Sequence, residues 1–231
     1  MLDTLLEALS LLANMDHQVV AIVWLSFKVS LATIVLSTLI GLPLGALVAV
    51  AAFPGRSAAT VFLNGMMGLP SVVVGVIAYL FLSRSGPFGS LGLLYSPPAM
   101  IVAQTILVVP LMAALTRQIV EDSWREYATE FRLMRFSLRQ SIVTLLYDCR
   151  FSLVVAVLAG MGRSLSEVGA VMIVGGNIEG YTRVMTTAIA LETAKGDLPL
   201  SLALGMVLLA VVLLLNACAY ALRQWSMRKY G

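Results

Sequence analysis

Residues 29–53 read VSLATIVLSTLIGLPLGALVAVAAF, without one charged side chain. An α-helix rises about 1.5 Å per residue and the hydrocarbon core of a bilayer is about 30 Å thick, so about 20 apolar residues cross it. This stretch is long enough to span. Working outward, residues 57–83, 98–116 and 198–222 are also uncharged and mostly apolar. The whole chain is 60% hydrophobic and 12% charged, whereas soluble domains are roughly 45–50% apolar and about 25% charged. The sequence therefore predicts an all-α integral membrane protein.

Five transmembrane helices are expected, at about 20–53, 57–83, 98–117, 151–175 and 198–222. SGPFGSLGLLYSPP precedes the third and is turn chemistry, so that helix should start near Pro98. The fourth carries Arg163 and Glu167. Either charge alone costs about 2.5–3.5 kcal/mol at mid-membrane. Their spacing puts both on one helix face, where they can pair. Residues 1–19 should form an interfacial amphipathic helix, with Leu2, Leu5, Leu6 and Leu9 on its apolar face. The first basic residue is Lys28, after Asp3, Glu7 and Asp16, so no cleavable signal is expected. Residues 225–231 form a tail.

An odd number of spans puts the termini on opposite sides. Arg56, the arginines at 117, 125, 132, 135, 139 and 150, and Arg223, Arg228 and Lys229 share one side, which the positive-inside rule makes cytoplasmic. The N terminus is then outside, the C terminus cytoplasmic, and residues 118–150 a cytoplasmic segment. Gln118 to Glu130 reads helical. Leu138, Ile142, Leu145 and Leu146 form one apolar face of a second helix. This segment suits either a ledge for a cytoplasmic partner or an interfacial helix pair held by headgroups. Pro43, Pro70 and Pro110 interrupt their spans and can kink them. Together with the many glycines they serve either packing or broken helices lining a path.

No chemistry of an enzyme is visible. G-x-x-x-x-G-K-[ST] is absent, so ATP would be handled by another polypeptide. His17 is the only histidine, no H-E-x-x-H occurs, and Ser164 and Ser166 lack a nearby general base. Cys149 and Cys218 share no metal-type spacing and read as small helix residues. No catalytic or metal-binding residue is expected. A stand-alone channel or secondary transporter is the rival class, but no internal repeat is evident and one charged pair is a thin relay.

Three stretches carry a family resemblance: KVSLATIVLSTLIGLPLGALVAV (28–50), LPSVVVGVIAYLFLSRSGPFGSLGLL (69–94) and GRSLSEVGAVMIVGGNIEGYTRVMTTAIALETAKGD (162–197). They resemble permease subunits of bacterial type I ABC importers of the tungstate and molybdate type. The cytoplasmic motif of such permeases is EAA, three residues, then Gly. The corresponding stretch is Thr129, Glu130, Phe131, Arg132, Leu133, Met134, Arg135, Phe136 and Ser137. Thr129 stands where Glu is expected, Arg135 where Gly is expected, and Ser137 fits.

The resemblance implies a multi-pass protein of the bacterial cytoplasmic (inner) membrane, with cytoplasmic coupling helices. It implies a homodimer with the pathway at its interface, a cytoplasmic ATP-binding subunit (itself a dimer) and an extracytoplasmic substrate-binding protein. The bilayer surrounds it, and no nucleic acid is involved. ATP and Mg would sit on the partner ATPase, with no cofactor on this chain. The cargo would be an oxyanion, tungstate first, with molybdate or another oxyanion as the alternative. Candidate pathway and gate residues are Pro70, Ser71, Arg163, Ser164, Ser166, Glu167, Asn177, Thr186 and Thr187. Arg163 and Glu167 either meet the anion or form a structural strut. Residues 178–197, with mixed charge, suit a docking surface or a solvated loop.

Overall fold

The computed structural model describes residues 2–14 and 16–230, and for 2, 3, 226, 227, 229 and 230 the backbone alone. Met1 and Met15 of the expected 1–19 segment and Gly231 of the expected tail lie outside the described residues. The described residues are helical with no strand. The helices are α1 (Leu2–Ala13), α2 (His17–Val50), α3 (Arg56–Met66), α4 (Ser71–Leu82), α5 (Pro97–Leu133), α6 (Leu138–Asp148), α7 (Arg150–Leu165), α8 (Gly169–Gly175), α9 (Met185–Lys195) and α10 (Leu198–Tyr230). A short 3-10 turn, Gly89–Leu91, precedes α5.

Three helices, α2, α5 and α10, are long and apolar enough to cross a membrane, and up to five spans exist if each broken pair counts as one. The protein is thus an all-α membrane protein. The broken pairs are α3 with α4, bent by 98°, and α6 with α7, bent by 75°. Two of the runs expected to be unbroken are divided in the structure. Residues 57–83 divide into α3 and α4. Pro70 sits at the N-cap of α4 with ψ 118°, so the chain leaves helical geometry there. Proline lacks an N–H and disfavours helix in the residue before it, and Gly68 offers no helix-favouring side chain. Pro43 and Pro110, in contrast, lie inside α2 and α5 without ending them. Residues 151–175 divide into α7 and α8 around Ser166–Val168. The third expected span does not stop near 117. It continues as one helix of 37 residues to Leu133, about 55 Å long at the usual rise. Its charged second half therefore projects beyond a hydrocarbon core of about 30 Å.

The chain groups into two compact units. Unit one is Met1–Thr33, Pro70–Gln104 and Gly162–Leu214, and unit two is Ile34–Leu69, Thr105–Met161 and Leu215–Gly231. In unit one α4 packs on α8 with almost no side chain between them. A Cβ on Gly75 would lie 2.8 Å from Ala170 Cα, and one on Gly169 would lie 3.1 Å from the Val72 nitrogen. In unit two, Gly41 and Gly45 bring α2 against α5: a Cβ there would lie 2.6 Å from Met112 Cβ and 2.8 Å from Thr116 Cβ. Small residues permit this approach where lipid tails supply no hydrophobic drive.

One core cluster of unit two is Ala46, Ala49, Val50, Val120 and Leu145, with Trp124, Phe131, Ile142 and Leu146 against it. The apolar stripe read on 138–146 is split: Leu145 is fully buried and Leu138 exposed. Arg56 caps the C-terminal end of α2. It donates to the carbonyls of Val48 (2.9 Å) and Ala49 (2.6 Å), which have no partner within the helix. Arg117, Arg125 (3.1 Å) and Arg56 (3.5 Å) surround the single carboxylate of Glu121. Arg56, one of the arginines used to orient the chain, thus also holds a helix end.

Candidate functional site

In unit one, the break between α7 and α8 gathers most of the expected polar residues. Its cause is local. Ser166 turns its hydroxyl back onto the Gly162 carbonyl (2.9 Å), which also accepts the Ser166 N–H (3.1 Å), a doubled bond of the kind that bends helices. Glu167 then accepts the Ala170 N–H (3.3 Å) and so anchors the first turn of α8. Its second oxygen lies 3.7 Å from Arg163. Glu167 is 6% exposed, while the Arg163 side chain is 48% exposed. The carboxylate is fixed from two sides and the guanidinium keeps half its surface free.

Ser164 is buried and reaches Gln104 on α5. Its hydroxyl donates to Oε1 (3.2 Å), and Gln104 Nε2 donates back to the Ser164 carbonyl (3.0 Å). Thr33 of α2 donates to the same Oε1 (2.9 Å). One amide therefore ties the first, third and fourth apolar stretches within unit one. Thr186 donates to the Glu167 carbonyl (2.7 Å), which binds the start of α9 to the break. Ser26, Ser30, Gln104, Ser164, Glu167 and Thr186 enclose a cavity of about 10 Å³, room for about one water molecule.

The remaining candidates sit apart from this seam. Pro70 and Ser71 start α4. Ser71 packs beside Gly169, where a Cβ would come 2.8 Å from its hydroxyl. Asn177 holds φ 50°, a conformation asparagine tolerates better than most residues. Its Nδ2 donates to the Thr187 carbonyl (3.1 Å), while its Oδ1 is buried without a partner. Thr187 is wholly buried and accepts the Val184 N–H (3.1 Å) at the start of α9, a structural cap. Ser166 is exposed.

Reading the sequence for charge and hydroxyls near Gly162–Asn177 missed Gln104, Ser26, Ser30 and Thr33. All four are buried in the structure. Ser26 accepts the Met185 N–H (2.8 Å) and donates to the Ile22 carbonyl (2.7 Å). The available signal was a polar side chain inside an otherwise apolar run, since a buried polar group must find a partner. The expected mixed-charge segment 178–197 is only partly a surface. Arg183 is 7% exposed, with Glu192 at 3.4 Å and Glu179 at 3.5 Å, and Glu192 also takes Lys195 at 3.1 Å.

In unit two, the stretch from Thr129 to Ser137 closes α5 and opens α6. The Phe136 N–H bonds the Phe131 carbonyl (2.9 Å) and the Arg135 N–H bonds the Arg132 carbonyl (3.1 Å). That pair of bonds is a Schellman ending, and its left-handed residue is Arg135 at φ 56°. The accompanying apolar contact is present, because the Phe131 and Phe136 rings stack 5.1 Å apart. Ser137 then starts α6. Its hydroxyl accepts from the Gln140 nitrogen (3.3 Å), and the Gln140 side chain accepts from the Ser137 nitrogen (2.9 Å), a capping box. Leu133, Met134, Phe136 and Leu138 are all exposed around this turn, Leu133 by 79%.

Apolar spans, a polar break inside one of them and a built helical turn outside define a multi-pass membrane transport subunit. The comparisons agree. The chain is 38% identical over 217 residues to the tungstate uptake system permease protein TupB of Peptoclostridium acidaminophilum, covering 94% of this chain and 95% of that one. It is 39% identical to a probable anion ABC transporter permease protein of Haloferax volcanii, covering 92% and 94%. It is 35% identical to TupB of Campylobacter jejuni, covering 96% and 93%. No family model matches the chain. The chain belongs to the ABC-transporter permease family, whose members named here are permease subunits.

Proposed function

We propose that this chain forms the membrane pathway of an ATP-driven importer for an oxyanion, with tungstate as the cargo and molybdate or another oxyanion as the alternative. The observation that carries the reading is similarity to tungstate uptake permeases over nearly the full length of both chains. Two copies would assemble, with the path between them. A substrate-binding protein would deliver the anion from outside, and a separate ATPase, holding ATP and Mg, would drive the cycle. The N terminus would lie outside and the C terminus in the cytoplasm of a bacterial inner membrane.

The chemistry supports this assignment. A doubly charged tetrahedral anion needs donors and a positive potential, but a full cage would trap it. The half-exposed Arg163 supplies potential and Glu167 moderates it. Hydroxyls at the break, Ser166 among them, offer donors without a second fixed charge. Pro70 and Ser71, with the Asn177, Thr186 and Thr187 cluster, would hold the neighbouring helix ends that shape the path.

The turn from Thr129 to Ser137 would receive the ATPase. Its exposed Leu133, Met134, Phe136 and Leu138 form an apolar patch rimmed by Arg132, Arg135 and Arg139, the composition of an interface with a protein rather than with water. A rigid turn, capped on both sides, transmits a push better than a flexible loop.

The test is ATP hydrolysis in proteoliposomes holding this chain, its candidate ATPase and its candidate binding protein. Tungstate, molybdate and sulfate are compared. Hydrolysis that requires this chain and rises with anion-loaded binding protein supports the importer, and the ranking gives the cargo. Anion movement at the same rate without ATP or ATPase would make the chain a channel or carrier instead.

A further inference from the structure

We propose that unit one holds a specific phospholipid, with a phosphate and a primary ammonium in its headgroup, beside the N-terminal half of α2. Two adjoining depressions meet at Trp24. One, of about 490 Å³, is of mixed character: Ile22 and Leu25 line it beside the polar His17, Gln18, Lys28, Glu179 and Arg183. The other, of about 310 Å³, is apolar and is lined by Leu11, Leu12 of α1, Val23 and Phe27 of α2, and Val207 of α10. Trp24 belongs to both walls and is 60% exposed. A headgroup chamber joined to an acyl groove matches a lipid and not a free inorganic anion, which would leave the apolar half unused.

The charges select the headgroup. The Lys28 ammonium lies 5.2 Å over the Trp24 ring and makes no ion pair among the described residues. Arg183 is held by Glu179 and Glu192, yet its buried Nε has no hydrogen-bond partner. These two cations suit a phosphodiester. The Glu179 side chain is 69% exposed. It would repel a purely anionic headgroup and accept an ammonium, which a trimethylated headgroup cannot donate to it. Lysine and tryptophan together are also the residues that anchor helices at the membrane–water boundary. The exposed Leu5, Leu6 and Leu9 of α1 place that helix in the same layer.

The experiment uses the full chain in detergent and titrates phosphatidylethanolamine, phosphatidylglycerol or phosphatidylcholine, each with identical brominated acyl chains, while reading tryptophan quenching. The Trp24→Phe variant identifies the Trp24 component. The expected result is quenching at Trp24 that saturates at the lowest concentration with phosphatidylethanolamine. Lys28→Gln should weaken that affinity about tenfold, as loss of a charge-assisted contact does. Lys28→Arg should restore it and shows that the site still folds. Equal quenching by all three lipids, or no effect of Lys28→Gln, overturns the proposal in favour of ordinary annular lipid. Displacement of the brominated lipid by inorganic phosphate or tungstate at comparable concentration overturns it in favour of a free-anion site.

Discussion

Replacing Arg135 by glycine should stabilise this protein, although it deletes a large side chain. Arg135 ends α5 at φ 56°, where an L-residue costs roughly 1–2 kcal/mol. Glycine removes that strain but adds roughly 0.5–1 kcal/mol through the freedom of its unfolded chain. The net gain is about 0.5–1 kcal/mol. For a chain of this length it raises a melting midpoint by about 1–4 °C. The arginine side chain is exposed and forms no ion pair among the described residues, so little is lost with it. Arg135→Val makes the opposite test, because a β-branched residue tolerates this conformation least. It should lower the midpoint by several degrees. A convenient readout is the buried Cys149 thiol, which follows α6 directly. In a Cys218→Ser background, a thiol-reactive dye would report its exposure as detergent-solubilised protein is heated. A lower midpoint for the glycine variant, or an unchanged one for valine, would refute the assignment of Arg135 to a left-handed helix ending.

Other substitutions probe the remaining parts. Leu133→Asp should leave the melting midpoint unchanged, since Leu133 is 79% exposed, but should abolish stimulation of ATP hydrolysis in the reconstituted system. Gln104→Leu should cost about 1–3 kcal/mol, read as a fall in midpoint, because it leaves the buried hydroxyls of Thr33 and Ser164 without their acceptor. Gly75→Val should cost about 1–3 kcal/mol by forcing α4 off the Ala170 backbone, whereas Gly162→Ala, where a Cβ meets nothing, should be neutral. Arg163→Gln should slow oxyanion import severalfold with a small change in midpoint, because the guanidinium is half exposed and the buried Glu167 keeps its bond from the Ala170 N–H. A large midpoint loss with normal import would make the pair a structural strut.

How much was legible follows the range of each interaction. The helical membrane class was visible in any one apolar run, because crossing lipid is a property of a single helix. The turn at 129–137 was half legible. The motif placed it, and the departure at Arg135 stood out, but only the backbone showed that the family's glycine position is a left-handed helix ending. The α7–α8 break was not located, because residues 151–175 read as one span. The glycines there suited either packing or a broken helix, and Glu167 either a structural pair with Arg163 or a contact to the anion. The hydrogen bonds of Ser166 and Glu167 end one helix and start the next.

Length and apolar patterning, both local and additive along the chain, determined by themselves that this protein is a helical membrane protein. Only the tertiary structure decided which polar residues share a site. Gln104 meets Thr33 and Ser164 across 71 and 60 positions of sequence, Arg183 becomes buried between two carboxylates, and Pro70 breaks its helix where Pro43 and Pro110 do not. Those outcomes depend on which distant groups a buried polar atom finds once water is gone, and no single stretch of sequence carries that information.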